Sequence, residues 1–346
     1  MPKTIKICFD EKLNFINLYN AFYRICKENR KKTYILKAEM DIETIICNLE
    51  MTLRNGTYRP GKYHVFTIHE PKERIIKALP FQDRIVHQWY IEEFIKPYYL
   101  KRFIKDSYAC IEGRGAHLAV KNLQKYMRKM EYKNKNYYVL KCDIKKYFYN
   151  INRDILYKIL EKSISDKKLL SLTKIILYDE DEKGIPIGNY TSQFFANIYL
   201  NELDKYIKYV LRVKYYVRYM DDFVLLLNTK EECKKNVNLI AIYLKNNLDL
   251  ELNSKTRYFP GYQGISFCGY RGFSTHILVR GSNKNRMKRK INTWNKLYLE
   301  NSLDMNYVYF SYNSWLGHIS HTNGYNLKNK MTSKMIFKEE IESGKK

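Results

Sequence analysis

Three carboxylates carry the most chemistry in this sequence: Asp143, near the end of the run Tyr137-Tyr138-Val139-Leu140-Lys141-Cys142-Asp143-Ile144, and the adjacent pair Asp221 and Asp222. The pair lies inside Tyr216-Val217-Arg218-Tyr219-Met220-Asp221-Asp222-Phe223-Val224-Leu225-Leu226-Leu227, between two apolar, β-branched and aromatic segments. Asp is common in turns, so an Asp-Asp step alone says little. Here the flanks read as buried strands around a tight acidic turn. An uncompensated carboxylate in that setting is costly, and a divalent cation removes the cost. Asp143 alone reads as a strand-end or capping residue. Taken with the hairpin, it lets carboxylates from separate strands bridge two metal ions roughly 3.5–4 Å apart, the layout of two-metal phosphoryl transfer. All the proposed ligands are oxygens, which favours Mg²⁺, with Mn²⁺ able to substitute.

The surrounding elements must position these groups. Residues 11–55 carry helical periodicity, and Tyr58-Arg59-Pro60-Gly61 marks a turn before a strand at Tyr63–Ile68. A turn at Pro71 leads to a second strand, and Phe81 opens a helix reaching about residue 103. Gly113-Arg114-Gly115 precedes a basic helix over 116–131, and a strand over 137–144 carries Asp143. Another helix starts near Asn152. The loop Gly184-Ile185-Pro186-Ile187-Gly188 precedes a long helix to about Leu211, which Thr191 or Ser192 can cap. After the acidic hairpin come a helix near 230–247, a strand pair around 267–279, and a basic helix from about Asn283.

Lys plus Arg is 62 and Asp plus Glu is 36, a formal net charge of +26. Such an excess repels itself unless a polyanion shares the surface, which points to nucleic acid. A membrane is the weaker partner: no apolar run of about 18 residues and no basic amphipathic helix with a clean apolar face is found. The N-terminus Met1-Pro2-Lys3-Thr4-Ile5-Lys6 lacks a signal-peptide core, and the 7 scattered cysteines suit reduced thiols, so a cytoplasmic setting is expected. His318 and His321 have helical ligand spacing without a nearby Cys or acidic partner, which favours packing over metal binding. Most of the 33 tyrosines are ascribed to nucleotide bias, although aromatic rings among cations can stack bases.

Tyr219-Met220-Asp221-Asp222 resembles the catalytic box of reverse transcriptases, and Asp143-Ile144-Lys145-Lys146-Tyr147-Phe148 resembles their first palm motif. The resemblance runs from about Tyr58 to Asn326 in the family's motif order. It implies an α+β right-hand polymerase fold: an N-terminal extension and fingers over 1–136, a palm with an antiparallel sheet over 137–274, and a short helical thumb over 275–346. Residues 184–195 would contribute to the nucleotide site. On the same basis Asp143, Asp221 and Asp222 match metal ligands, with Ile144 beside them in both the metal and nucleotide sites. Phe148 matches the position beneath the incoming sugar, where a ring clashes with a 2′-hydroxyl; a core Phe is the alternative. Lys72 and Arg74 match residues that clamp the triphosphate, against a solvated charge run. Lys255 matches a lysine near the leaving pyrophosphate, a candidate general acid. Phe267-Cys268-Gly269-Tyr270 resembles the primer-grip turn, with Gly269 admitting the primer backbone. Lys284, Arg286, Lys288, Arg289 and Lys290 of the thumb would grip the template–primer backbone without reading sequence.

Ile187-Gly188 stands where many reverse transcriptases have Gln-Gly, and Ser192-Gln193 where they have Ser-Pro. This variant, with Ser314-Trp315-Leu316-Gly317-His318, resembles the enzymes of diversity-generating retroelements. That likeness implies cDNA synthesis from a cognate non-coding RNA, infidelity at template adenines under Arg74 and Ile187, and a small basic accessory protein that forms a ring. Phage-defence reverse transcriptases share the palm motifs and copy a non-coding RNA instead. A degenerate, inactive RNA-binding scaffold is the non-enzymatic alternative.

Overall fold

The computed structural model describes residues 4–27, 32–69, 73–178 and 183–338. The N-terminal periodicity becomes helices α1 (Phe9–Lys12), α2 (Phe15–Cys26), α3 (Thr33–Met40) and α4 (Ile42–Arg54). In α2 the buried residues are Leu18, Ala21, Phe22 and Cys26, one face of a helix. The helix begins where the Asn14 side chain accepts the Asn17 N–H at 2.9 Å. Strands β1 (His64–Ile68) and β2 (Arg74–Ala78) then form an antiparallel hairpin in which Ile68 faces Arg74. The helix expected from Phe81 to about 103 is broken into α5 (Phe81–Tyr90), a π-helical turn at Ile91–Ile95, and α6 (Lys96–Tyr99). Pro97 has no N–H to donate into the preceding turn, so the ladder widens ahead of it.

Next come α7 (Ala116–Lys133), β3 (Tyr138–Asp143), α8 (Tyr147–Asn150), α9 (Arg153–Glu161), α10 (Lys167–Leu177) and α11 (Tyr190–Lys205). The predicted start of α9 holds: the Asn152 side chain accepts the N–H groups of Asp154 and Ile155. The predicted cap of α11 does not. Asn189 occupies the cap position without a side-chain cap bond, while Thr191 and Ser192 are buried inside the first turn. Thr191 Oγ1 instead pairs with His87 Nδ1 at 2.8 Å. Burial drives the His87 pKa down to about 3, so this ring stays neutral and serves packing.

The chain continues through β4 (Tyr215–Tyr219), β5 (Asp222–Leu227), α12 (Lys230–Leu248), β6 (Arg257–Pro260), β7 (Ile265–Phe267), β8 (Tyr270–Gly272) and β9 (Ile277–Val279). It ends in α13 (Gly281–Leu299), α14 (Met305–Ile319) and α15 (Tyr325–Thr332). One sheet has the order β4-β5-β3-β6, with β4–β5 and β3–β6 antiparallel. The strand pair expected at 267–279 is a three-stranded sheet, β7-β8-β9.

Two compact units divide the chain. The first holds residues 1–112, 142–212 and 237–256; the second holds 113–141, 213–236 and 257–346, so the division crosses β3 between Lys141 and Cys142. Within the first, α11 is buried on nearly every side, with Phe194, Phe195, Ile198, Tyr199 and Leu200 in the core. Within the second, the three C-terminal helices close over Met287, Ile291, Trp294, Val308, Tyr312 and Met331. No helix among the described residues is long and apolar enough to cross a membrane.

Candidate active site

In the first unit, Asp143 ends β3 and its backbone is clamped by a segment far along the chain. Asn253 donates its N–H to the Asp143 carbonyl at 2.7 Å, and the Asp143 N–H reaches Thr256 Oγ1 at 3.4 Å. Ile144 faces Leu252 in an isolated antiparallel bridge, flanked by a Lys145 N–H bond to the Glu251 carbonyl at 3.0 Å. The Ile144 side chain is buried and apolar, so only its backbone carbonyl could serve a metal. Lys255 lies exposed in the same 253–256 turn, its N–H bonded to Asn253 Oδ1 at 3.1 Å. The turn that carries the proposed general acid is thus hydrogen-bonded to the strand end that carries the proposed metal ligand.

The described residues expected at the nucleotide site lie in the same unit. Lys146 adopts φ +44° and turns the chain into α8. Tyr147 is buried and donates its hydroxyl to the Ala196 carbonyl at 2.5 Å, whereas Phe148 is only half-buried. Gly184, at φ +87°, packs against this turn so closely that a Cβ would lie 2.6 Å from the Phe148 carbonyl oxygen. Ile185 N–H bonds that same oxygen at 2.9 Å. Two residues on, the Ile187 carbonyl accepts the Lys77 N–H at 2.9 Å. Gly188 has φ +128°, and a Cβ there would meet Ile76 Cγ2 at 2.9 Å. The β1–β2 hairpin is thereby fastened to the Ile187-Gly188 loop, around a cavity of about 460 Å³ that Val65, Ile75, Lys77, Arg153, Lys183 and Ile187 line. Arg74 opens β2 as an exposed cation. Lys72 lies outside the described residues. Lys77, Arg153 and Lys183 were not singled out from sequence; their only local signal was positive charge.

In the second unit, Tyr219 pairs with Asp222, which leaves Met220 and Asp221 as a two-residue turn. Met220 takes φ +54°, unusual for a residue with a Cβ and costing about 1–2 kcal/mol. Fully buried Arg218 supports the turn by donating from Nη1 to the Met220 carbonyl at 3.1 Å. Asp222 Oδ2 accepts Lys141 Nζ at 2.9 Å, and the same ammonium donates to the Ser266 carbonyl at 2.5 Å. Lys141 was missed from sequence, where it is one lysine among many. The Cys268-Gly269 turn joins β7 to β8 across the Phe267–Tyr270 pair, with φ +48° and +85°, the double positive φ of a type I′ hairpin. Burial, then the Asp222 carboxylate, push the Cys268 thiol up, with Lys141 partly offsetting. On α13, Arg286 and Lys290 line a cleft with Asn283, while Lys284, Lys288 and Arg289 are exposed and absent from its lining.

Among the described residues, no group of three or more His, Cys, Asp and Glu side chains stands clustered for a metal. The donor chemistry nevertheless suits a hard cation. Asp143 ends β3, and Asp222 begins β5 and already holds a cation, the Lys141 ammonium. Lys141→Met should therefore lower the melting temperature in EDTA by about 2–4 °C, corresponding to roughly 1 kcal/mol. Millimolar Mg²⁺ should restore part of that loss by binding the folded state. A melting temperature indifferent to Mg²⁺ in this variant would count against a cation at Asp222.

Residues 68–271 match the family model described as reverse transcriptase (RNA-dependent DNA polymerase). The putative COX1/OXI3 intron 2 protein of Saccharomyces cerevisiae is 23% identical over 311 residues, covering 69% of this chain and 34% of the relative. The group II intron-encoded protein LtrA of Lactococcus lactis subsp. cremoris is 23% identical over 303 residues, covering 66% of this chain and 49% of LtrA. The chain thus spans half or less of the length of these two relatives. Apo telomerase from Candida tropicalis superposes with a TM-score of 0.49 at 13% identity, over 78% of this chain and 58% of telomerase. The family match covers more than half of the 346 residues and includes the Asp143 strand, the Asp221-Asp222 hairpin and the Cys268-Gly269 turn. The chain belongs to the reverse transcriptase family and has its right-hand polymerase fold.

Proposed function

We propose that this chain is an RNA-directed DNA polymerase that extends a primer 3′-hydroxyl along an RNA template. The observation that carries this reading is the acidic hairpin, in which Tyr219 pairs with Asp222 and leaves Met220 and Asp221 as a two-residue turn between buried strands. Asp143, Asp221, Asp222 and the Ile144 carbonyl are the groups that would hold two Mg²⁺ ions. Those ions, when bound, supply the Lewis acidity for attack by the 3′-hydroxyl and the charge that steadies the triphosphate and pyrophosphate. The protein's own residues do the rest. Lys72 and Arg74 clamp the triphosphate, Phe148 excludes a 2′-hydroxyl, and Lys255 gives a proton to the leaving pyrophosphate. Residues 1–136, 137–274 and 275–346 act as fingers, palm and thumb, and the α13 cations grip the template–primer backbone.

The direct test is primer extension on an RNA template with dNTPs and Mg²⁺ or Mn²⁺. The assay should include the non-coding RNA and any small basic protein encoded beside the gene. Extension that requires both dNTPs and the divalent ion supports the proposal. A preparation that binds the RNA–DNA hybrid but extends no primer under either ion overturns it and leaves an RNA-binding scaffold.

Within this activity we place the chain among diversity-generating enzymes, copying a cognate RNA with errors at template adenines and assisted by a ring-forming basic protein. Ile187 supports the placement. Its backbone is tied to Lys77 while its side chain borders the cavity with Val65 and Ile75, and an apolar group cannot hydrogen-bond the nascent pair. Ile187→Gln should lower misincorporation opposite adenine about fivefold, the value of one added hydrogen bond near 1 kcal/mol, read by sequencing cDNA. Faithful cDNA from the unaltered chain would move the assignment to phage defence.

A further inference from the structure

Between α13 and α14 of the second unit lies a cleft of about 400 Å³, lined among others by Asn283, Arg286, Lys290, Ser314, Trp315 and His318. No carboxylate lines it. Its polar side chains are two cations, two serine hydroxyls, one amide and one imidazole. The Trp315 indole N–H is buried and has no hydrogen-bond partner among the described residues. A concave site built from two cations, an amide, an imidazole and two hydroxyls has the chemistry of an anion receptor.

The cleft is joined to the Cys268-Gly269 turn. His318 stacks on Tyr270, with ring centroids 4.3 Å apart, and Tyr270 donates its hydroxyl to the His318 carbonyl at 3.2 Å. His318 Nε2 lies 3.3 Å from Asn283 Nδ2, and that amide also donates to the Gly269 carbonyl at 3.4 Å. A ligand in the cleft is thus one side chain away from the turn.

The titratable and charged groups around His318 are Arg286 and Lys290 on α13, Cys268 and Tyr270 at the turn, His117 and Lys121 on α7, and His321 just beyond its own helix. None of these is a carboxylate; Asp222 acts on Cys268 and is itself paired with Lys141. His318 is held below its ordinary pKa first by burial and then by His321 and Arg286, against a hydrogen bond at Gly269 that raises it. An anion arriving in the cleft would offset this positive field and favour the protonated imidazole.

We propose that this cleft receives a backbone phosphate of the nucleic-acid strand held at the Cys268-Gly269 turn, and that His318 takes up one proton from solvent as the phosphate binds. The proposal rests on the polymerase reading and adds to it a proton-linked grip. The sign follows from linkage. His318 has a higher pKa in the complex than in the free protein, so affinity rises as pH falls through the complex's value and levels off below the free value. One unit of difference between the two is tenfold in affinity.

The test is the affinity for a labelled RNA–DNA hybrid between pH 5.5 and 8.5 at fixed ionic strength, with His318→Gln and His117→Gln compared by melting temperature to establish that both fold. The unaltered chain should bind about tenfold tighter at the acid end. His318→Gln should flatten the profile, while His117→Gln, outside the cleft, should keep it. Arg286→Gln should weaken binding at every pH. A flat profile for the unaltered chain, or an unchanged slope in His318→Gln, overturns the proposal. Inorganic phosphate that reproduces the proton uptake without hybrid also overturns it, since the cleft would then be a site for free anions. Hybrid binding without a pH slope leaves the polymerase reading standing, whereas pH-linked binding without primer extension leaves the phosphate site standing.

Discussion

Asp221→Ala will stop nucleotide incorporation while leaving affinity for an RNA–DNA hybrid nearly unchanged. The expected loss in the single-turnover rate is roughly a thousandfold or more, because removing one group that stabilises transition-state charge in a preorganised site already costs a hundred- to a thousandfold. The fold should tolerate the change. Asp221 sits in the turn, whereas the strands that hold the hairpin are fixed by buried Tyr216, Val217, Phe223, Val224 and Leu225 and by Arg218 beneath Met220. Removing one of two adjacent carboxylates also relieves like-charge repulsion. Binding is proposed to rest on the α13 cations, which the substitution does not touch. The check is a pair of measurements on one preparation, hybrid affinity and incorporation with enzyme in excess. A variant that extends a primer at the unaltered rate would end the two-metal assignment.

Phe148→Ala should open the nucleotide site to ribonucleotides. The half-buried ring projects from the single turn of α8, and its backbone is held independently of the side chain by the Ile185 N–H bond to its carbonyl. Neighbouring Tyr147 is anchored separately to the Ala196 carbonyl, so the turn itself should survive truncation. Replacing the ring with a methyl removes the clash with a 2′-hydroxyl, and discrimination between dNTP and rNTP should fall about a hundredfold, in the range that steric pocket contacts supply. Loss of a partly buried ring should cost about 1–3 kcal/mol, less than the full burial value. The ratio of kcat/KM for dCTP over CTP is the quantity to measure, since a general loss of activity divides out. An unchanged ratio would return Phe148 to an ordinary packing role.

Much of the local structure around the candidate site was legible in the sequence, and what was missed has a common cause. The acidic hairpin could be read because its information is local: apolar residues flank two polar turn positions, and each residue's role follows from its immediate neighbours. The Asp143 strand, the Asn152 cap and the basic α13 helix were legible for the same reason. Local reading failed at α11, where Thr191 and Ser192 have the right chemistry for a cap but are buried, with Thr191 paired to His87 from another helix. It also failed to single out Lys141 as the partner of Asp222, because strand alternation places a lysine on a face but does not say which strand lies beside it.

The sequence by itself determined the identity and order of the chemical groups: three carboxylates, a ring five residues after the first, an apolar residue before Gly188 and a basic C-terminal helix. Tertiary structure alone decided which of those groups meet. The Lys141 ammonium reaches Asp222, the 253–256 turn is bonded to Asp143, the Lys77 amide fastens β2 to Ile187, and His318 packs against Tyr270. Such contacts join residues separated by tens to hundreds of positions, and their free energy depends on burial and on the partner that arrives. Turn and helix preferences extend over only a few neighbouring residues and cannot encode it.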